Sequence, residues 1–250
     1  MVVKPLLPGP VILFMKTMKV EIWSDVMCPF CYIGKRRFET ALQQFPAKEN
    51  IEVVWKSFQL NPHLVTDPGK HVDAYLSETK RWAPEYTRQV NAQVSAMAKA
   101  EGLQYNFDQA IVANSFDAHR LLQYAKQQGK GDEMEESLFR SYFTDGKNIA
   151  DHQVLASLAG GIGLDPVQAA SVLAGTDFTS EVEQDIYEAR QIGVNGVPYF
   201  VFNDRYAVSG AQAAETFLGA LNKSWSELAP QLTTLADADA PACKPGEDCS

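Results

Sequence analysis

The residues best suited to chemistry in this sequence are two cysteines, Cys28 and Cys31, in the motif CPFC. The motif follows a short alternating apolar segment and precedes a segment with helical periodicity, and Pro29 lies where a first-turn proline is tolerated. Two thiols on the first turn of a helix can close a small disulfide ring, and the helix N-terminus favours the thiolate form of the first thiol. The spacing therefore predicts a redox site at a strand-to-helix junction.

The elements that must position this motif form a predicted parallel βαβ unit. Residues 19–23 alternate as in a strand, an amphipathic helix follows and ends near Pro46, and Ile51, Val53 and Trp55 mark a second strand. A crossover of this length is typical of two parallel strands. We therefore expect CPFC to lie at the carboxyl end of the first strand of a sheet.

The pattern changes over residues 63–179, where strand-like alternation disappears and a helical insert is predicted. Helices are expected to begin near five positions: Pro84, Asn114 or Ser115, Asp132, Asp151 and Asp165. Sheet signals return with a helix that begins at a pair resembling a capping box, Ser180 and Glu183, followed by a β-hairpin over residues 199–208. Val197 and Pro198 come directly before the hairpin, where the missing N–H of a proline is tolerated.

The order of these features resembles that of the DsbA-like thioredoxin superfamily and, within it, the FrnE-type oxidoreductases. The segments that carry the resemblance are SDVMCPFCYIG (24–34), FQLNP (58–62), LFRSYFTDGKNIAD (138–151) and GVNGVPYFVFN (193–203). The resemblance implies an α/β, thioredoxin-like fold with an inserted all-helical domain. Residues 19–62 and 180–229 would form the thioredoxin-like domain and residues 63–179 the insert. Residues 1–18 would be a disordered extension and residues 230–250 a flexible tail.

The resemblance also implies roles for the site residues. Cys28 would be the exposed nucleophile and Cys31 the buried resolving thiol, so that the site can oxidise, reduce or reshuffle disulfides. Pro198 would be cis, and Val197 would offer backbone hydrogen bonds to an extended substrate segment. Pro29 and Phe30 would also face the substrate. The substrates would be protein thiols and disulfides, with glutathione as a redox partner and with no cofactor or metal. Family members usually carry tryptophan where Phe30 stands, so the resemblance does not predict the redox potential of this site.

A second pair of cysteines, Cys243 and Cys249, lies near the C-terminus. Some FrnE-like proteins have a similar extra pair, and such a pair could act as an auxiliary redox pair that exchanges disulfides with Cys28 and Cys31. It could also be passive. Four thiolates would suffice for a zinc site, but the five residues between Cys243 and Cys249 and the helix that begins at Pro29 favour redox chemistry.

Composition and charge indicate which partners and which compartment to expect. A chain of 250 residues with 46% hydrophobic content can bury a sizeable core, and a formal net charge of −9 without a long basic block disfavours nucleic acid as a partner. The apolar stretch at 11–15 is shorter than a signal-peptide core, so we predict a cytoplasmic protein without a membrane span, as a monomer or a dimer. Asp25 is expected to be a cap or solvated, and His119 to be structural.

Two other functions are compatible with these residues. Kappa-class glutathione transferases and 2-hydroxychromene-2-carboxylate isomerases resemble this chain in fold and in the placement of the insert, so a glutathione-dependent enzyme is one alternative. Those relatives usually carry serine at the position of Cys28 and lack the second thiol, so the two cysteines favour dithiol chemistry. The other alternative is a non-enzymatic redox sensor or holdase in which Cys28 and Cys31 switch an interaction surface.

Overall fold

The computed structural model of the protein describes residues 16–228. Its strands are β1 (Met18–Ser24), β2 (Ile51–Ser57), β3 (Asp67–His71), β4 (Ile111–Val112), β5 (Tyr199–Phe202) and β6 (Tyr206–Ser209). Its helices are α1 (Pro29–Gln44), α2 (Val72–Lys80), α3 (Pro84–Ala100), α4 (Phe116–Gln127), α5 (Gly131–Phe143), α6 (His152–Gly161), α7 (Pro166–Ala174), α8 (Thr179–Gln191) and α9 (Ala214–Ser226). Most of the predicted extension and the whole predicted tail, with Cys243 and Cys249, lie outside the described residues.

The main sheet has four strands in the order β2-β1-β5-β6. Strands β1 and β2 are parallel, as predicted, and β5 and β6 form the predicted hairpin. Strand β5 runs antiparallel to β1 with Trp23 opposite Tyr199, so the start of β5 lies beside the end of β1. This register brings the segment that precedes β5 next to the segment that leads into α1.

The two faces of this sheet are covered by different helices. On one face, Phe200 and Phe202 pack with Phe38 of α1 and Phe217 of α9, with ring centroids 4.5–6.3 Å apart. On the other face, Trp23 packs with Ala189 of α8. Burying such aromatic side chains contributes roughly 2–3 kcal/mol each. Side chains of β1 and β5 point to alternate faces of the sheet, and the aromatic side chains on one face hold α1, and with it the CPFC motif, against the sheet.

Helices α2 to α7 follow β2 in the sequence, and α5 packs directly on α1 and β2. Phe139 of α5 stacks on Tyr32 of α1 with 4.9 Å between ring centroids. The Phe139 ring also contacts the Trp55 ring of β2 in an edge-to-face arrangement. These side chains belong to one continuous hydrophobic core that also contains the sheet residues. The limits of the insert at residues 63 and 179 stay predictions. Among the described helices, none combines the length and apolar composition that crossing a membrane requires.

Helices α6 and α7 begin as predicted, because Asp151 and Asp165 accept hydrogen bonds from backbone N–H groups of the first turn. The predicted capping box at the start of α8 is wrong. The residue before that helix is Phe178, with φ of 62°, and the Ser180 hydroxyl hydrogen-bonds to Glu181 instead of capping the backbone.

The stretch predicted to be all helical contains a small antiparallel sheet of β3 and β4. Strand β3 has the sequence DPGKH, which lacks strand-forming side chains, so no sequence pattern could indicate it. Asp132 was expected to cap α5 but lies inside its first turn, after Lys130. Its carboxylate is used elsewhere, since it accepts a 3.0 Å hydrogen bond from Trp55 Nε1 and pairs with Lys35.

Candidate active site

The CPFC motif lies where β1 passes into α1, as the sequence predicts. Cys28 is the N-cap residue with extended backbone angles (φ −87°, ψ 112°), and Pro29 is the first helical residue. The Cys28 N–H donates to the Asp25 carbonyl at 2.9 Å, and the Cys31 N–H donates to the Cys28 carbonyl at 3.0 Å. This turn places both cysteines at one end of the helix, and both are free thiols.

The Cys28 sulfur faces the loop before β5. Its thiol donates to the Val197 carbonyl oxygen at 3.4 Å, and the Val197–Pro198 peptide bond is cis, as the resemblance implied. The expectation that Cys28 is exposed is wrong, because only 4% of the residue is accessible. The loop covers the Cys28 sulfur. On the side of the insert, the Tyr105 hydroxyl donates to the Pro29 carbonyl oxygen at 2.6 Å.

Gly34 determines how closely α1 approaches this loop. A Cβ atom added at Gly34 would lie 2.9 Å from Pro198 Cγ and 3.5 Å from Phe200 Cζ, closer than carbon atoms can pack on the proline side. Glycine therefore permits the contact between the helix and the cis-proline loop. Sequence reasoning did not single out Gly34, although a glycine inside an amphipathic helix often indicates a packing requirement.

Phe30 and Pro29 form the outer side of the motif. The Phe30 side chain is 41% exposed, which is unusual for a large aromatic residue and fits a position at the surface. The predicted site residues Cys28, Cys31, Pro29, Phe30, Val197 and Pro198 are thus brought together. Their roles stay predictions.

Cys31 lies on the inner side, with 1% of its surface exposed. Burial raises the pKa of the Cys31 thiol well above its usual range, and the adjacent Cys28 thiol acts in the same direction. Ser24 and the Asp25 backbone lie close to the Cys31 thiol and act on its pKa in the opposite direction. Cys31 is therefore a protonated, inaccessible thiol at neutral pH.

A cluster of buried polar side chains lies behind Cys31. The Ser24 hydroxyl donates to Glu135 Oε1 at 2.6 Å, and His119 Nε2 lies 3.5 Å from Asp25 Oδ1. Burial raises the pKa of Glu135 to about 7, although the Ser24 hydroxyl and His119 oppose the shift. Within residues 16–228, neither ring nitrogen of His119 nor Glu135 Oε2 makes a hydrogen bond.

Asp25 is part of this cluster, so the expectation that it is a cap or solvated is wrong. Its carboxylate is buried and accepts hydrogen bonds from the Leu60 N–H at 2.8 Å and the Met27 N–H at 3.3 Å. The bond from Leu60 joins the end of β1 to the segment after β2, and the bond from Met27 closes a local turn, so both hold the carboxylate inside.

Sequence reasoning missed Ser24, Tyr105 and Glu135 as residues near the site. A weak signal for Glu135 exists, because it falls on the same helical face as Leu138 and Phe139, where a carboxylate is unexpected. No local pattern links it to Cys31, since the partner Ser24 lies 111 positions away.

Comparison with known proteins identifies the family. The family model of the DSBA-like thioredoxin domain matches residues 19–222. The uncharacterized protein YwbO of Bacillus subtilis (strain 168) is 28% identical over 208 residues, which cover 82% of this chain and 96% of that protein. The crystal structure of a probable DsbA oxidoreductase from Streptomyces coelicolor is 40% identical, with a TM-score of 0.80, covering 92% of this chain and 97% of that chain.

A 2-hydroxychromene-2-carboxylate isomerase is also similar in structure, with a TM-score of 0.61 and 13% identity over 82% of this chain and 95% of that chain. Identity at that level shows a shared fold alone. The match of the family model over most of the chain, together with the Streptomyces structure, confirms the thioredoxin-like fold with a helical insertion. The chain belongs to the DSBA-like thioredoxin domain family, a family of thiol–disulfide oxidoreductases.

Proposed function

We propose that the protein exchanges disulfides with protein substrates through Cys28 and Cys31, and that Cys28 makes the first attack. The observation that carries this proposal is the difference between the two thiols. Cys28 caps the helix beside the cis-proline loop and the exposed Phe30, whereas Cys31 is enclosed and its pKa is raised by burial. A thiol exchanges disulfides as its thiolate, so the two cysteines are suited to successive steps.

In the first step, the Cys28 thiolate attacks one sulfur of a substrate disulfide and expels the other as a thiolate. In the second step, Cys31 attacks the Cys28 sulfur, the bond to the substrate breaks, and the Cys28–Cys31 disulfide forms as the substrate receives two electrons. The reverse sequence oxidises a substrate dithiol. If a second substrate thiol attacks before Cys31, the substrate disulfides are rearranged, which is isomerase activity.

The loop before β5 would hold the substrate during these steps. The Val197 carbonyl accepts a hydrogen bond from the Cys28 thiol, and this bond is lost when Cys28 becomes a thiolate or part of a disulfide. The carbonyl is then free to accept an N–H of an extended substrate segment. Phe30, which is exposed on the other side of Cys28, offers an apolar contact to the same segment.

A glutathione-dependent enzyme on the same fold is the second candidate, since the structure is similar to that of an isomerase of that fold. The presence of two thiols at the helix start favours dithiol exchange over this alternative. A redox sensor or holdase would use the same thiols without turnover.

Reduction of insulin and refolding of scrambled ribonuclease, both with glutathione as the redox partner, separate these candidates. We expect turnover by the native chain and none by Cys28→Ala. Activity in the insulin assay without ribonuclease refolding would restrict the function to reduction. Conjugation of glutathione to a small electrophile, without turnover of either protein, would support the second candidate instead. Oxidation of Cys28 without any turnover would support the sensor.

Cys243 and Cys249 lie outside the described residues, so an auxiliary role for them is a proposal from the sequence. If this pair reloads or discharges Cys28 and Cys31, Cys243→Ser will slow steady-state turnover without changing the first attack by Cys28. Equal turnover in Cys243→Ser and the native chain would exclude the shuttle.

A further inference from the structure

The peptide N–H of Phe30 is the first-turn donor best placed for a thiolate at Cys28. An N-cap side chain accepts from the N–H of the second or third helical residue. Pro29, the first helical residue, has no N–H, and the Cys31 N–H already donates to the Cys28 carbonyl at 3.0 Å. The Phe30 N–H is therefore positioned to donate to the Cys28 sulfur once that thiol has lost its proton.

The opposite end of the same peptide group is bound by a residue of the insert. The Pro29 carbonyl and the Phe30 N–H belong to one planar peptide group. The Tyr105 hydroxyl donates to that carbonyl at 2.6 Å, across 76 positions of the sequence. A carbonyl oxygen has two lone pairs, so it can accept this bond in addition to a helical one. Hydrogen bonds in series polarise one another, so the bond from Tyr105 makes the Phe30 N–H a stronger donor.

The Tyr105 ring is held in place at the end of α5. It stacks on Phe143 with 4.5 Å between ring centroids, and only 9% of Tyr105 is exposed. The residues on either side of it are bound to the same end of α5. The Asn106 N–H donates to the Phe143 carbonyl at 2.7 Å. The Thr144 hydroxyl donates to the Gln104 carbonyl at 2.8 Å, so the Tyr105 hydroxyl has little freedom to turn away from α1.

Tyr105 keeps its proton while the thiols gain or lose theirs. Burial raises the pKa of the Tyr105 hydroxyl well above its usual range, and negative charge on Cys28 and Cys31 acts in the same direction. Two side chains of α1 also face it: Tyr32 acts in the same direction and the Arg36 guanidinium opposes it. The hydroxyl is therefore a hydrogen-bond donor throughout the pH range in which the thiols react.

We propose that Tyr105 is a positioning residue that stabilises the Cys28 thiolate through the peptide group between Pro29 and Phe30, and so makes the Cys28–Cys31 disulfide easier to reduce. This inference rests on the proposed function of the two cysteines. The thiolate exists only in the reduced protein, so a stronger bond to it lowers the free energy of that state more than that of the disulfide. A residue of the insert in this way shifts the redox equilibrium of a motif in the thioredoxin-like domain.

The redox equilibrium with glutathione, measured over a range of pH, tests this role. The full chain is used with Cys243→Ser and Cys249→Ser, so that only the CPFC thiols react. One oxidised glutathione takes two electrons from the reduced protein and becomes two reduced glutathione molecules, while the Cys28–Cys31 disulfide forms. At each pH, the equilibrium constant for oxidation of Tyr105→Phe is divided by that of the parent chain, so the ionisation of glutathione itself cancels.

We expect this ratio to be about two- to fivefold where Cys28 is a thiolate, because a bond to a charged group loses part of its strength in Tyr105→Phe. The ratio should fall to one at the acidic end of the titration, where Cys28 is a thiol in both proteins and donates to Val197 instead. Tyr206→Phe is the matched control. Its hydroxyl also donates over 2.6 Å, but to Glu227 beside the turn of the hairpin, so its ratio should stay at one.

The amide proton of Phe30 gives a readout that does not require a variant. In the reduced parent chain its NMR chemical shift should move downfield as Cys28 ionises, because a charged acceptor shortens and strengthens the hydrogen bond. The movement should be smaller in Tyr105→Phe. No movement in the parent chain would overturn the inference, even if Tyr105→Phe does not fold.

A ratio of one at every pH would overturn the role of Tyr105. A ratio that differs from one by the same factor at every pH would also overturn it, because loosened packing affects the thiol and the thiolate alike. Both results leave the proposed function intact. Failure of the native chain to reduce insulin or refold scrambled ribonuclease would instead contradict the proposed function, whatever its equilibrium with glutathione.

Discussion

Cys28 and Cys31 lie on one turn of the same helix, but different parts of the chain surround their sulfurs. Cys28 faces a backbone carbonyl from the loop before β5, whereas Cys31 is buried close to Ser24, whose hydroxyl donates to Glu135 of α5. The sheet region thus supplies the neighbours of one thiol, and the helical region supplies the acidic group behind the other. The two thiols of one four-residue motif therefore differ in reactivity because different parts of the chain surround them.

The backbone at the start of α1 explains this separation. Cys28 has the extended angles of an N-cap residue, so its side chain extends over the end of the helix towards Val197. Cys31 is inside the first helical turn, on the face that packs into the core. Residues that are three positions apart in a regular helix would instead share one face.

The largest expected effect comes from removing the outer thiol. Cys28→Ser should lower insulin reduction by at least about 10³-fold, because the group that forms the mixed disulfide is lost. In a chain with Cys243→Ser and Cys249→Ser, Cys31→Ser should also stop turnover but still release one thionitrobenzoate from 5,5′-dithiobis(2-nitrobenzoate), which reports the attack by Cys28. If Cys28→Ser retained that release and Cys31→Ser lost it, the assignment of the two thiols would be reversed.

The inner side can be tested through stability. The pKa of Glu135 is raised to about 7 in the folded protein, so the folded state holds this proton at pH values where the unfolded chain has lost it. The stabilising contribution is complete below about pH 4.5 and is lost as the pH rises to about 7, a change of roughly 3 kcal/mol. Urea denaturation should show this decline for the native chain relative to Glu135→Gln. Parallel stability profiles for the two proteins would contradict a raised pKa.

The outer side can be disturbed through Gly34. In Gly34→Ala the new methyl group would meet Pro198 at 2.9 Å, so we expect a loss of roughly 1–3 kcal/mol in the free energy of unfolding and a slower release of thionitrobenzoate. Gly219→Ala in α9 is the matched control, because a Cβ atom there meets nothing within 4 Å. It should be neutral or stabilise by up to about 1 kcal/mol. Equal effects of the two substitutions would show that the contact between α1 and the cis-proline loop is unimportant.

The smallest effect is expected from the exposed Phe30. Phe30→Ala should raise KM for insulin by about three- to tenfold, consistent with the loss of one aromatic contact, and should leave the reaction with the small disulfide reagent unchanged. Tyr187→Ala removes a comparably exposed aromatic side chain from α8 and serves as the control. An equal loss with both substrates for Phe30→Ala would show that Phe30 acts on Cys28 and not on the protein substrate.

The outer half of the site is largely predictable from the sequence because its signals are local. CPFC at a strand-to-helix junction and Val-Pro before a hairpin strand each depend on a few consecutive residues, and the βαβ unit follows from periodicity. The inner half is not predictable in this way. The bond between Ser24 and Glu135 joins β1 to a helix of the insert, and only tertiary packing brings them together.

Local patterns also failed where tertiary contacts override them. Asp132 has the type and position of a helix cap, but Trp55 and Lys35 use its carboxylate. Strand β3 forms with a Pro and a Gly in it, because it needs to pair only with the two-residue strand β4. Cys28 is covered by a loop that lies 169 positions away in the sequence, so its burial could not be predicted from its own surroundings.

The position of the mixed disulfide shows directly which cysteine attacks first. Cys31→Ser and Cys28→Ser, each with Cys243→Ser and Cys249→Ser, are incubated with a peptide disulfide and analysed by intact-mass and peptide mass spectrometry. We expect one peptide adduct on Cys28 in Cys31→Ser and none in Cys28→Ser on the same timescale. An adduct on Cys31 in Cys28→Ser at a comparable rate, or no adduct on Cys28, would contradict a first attack by Cys28.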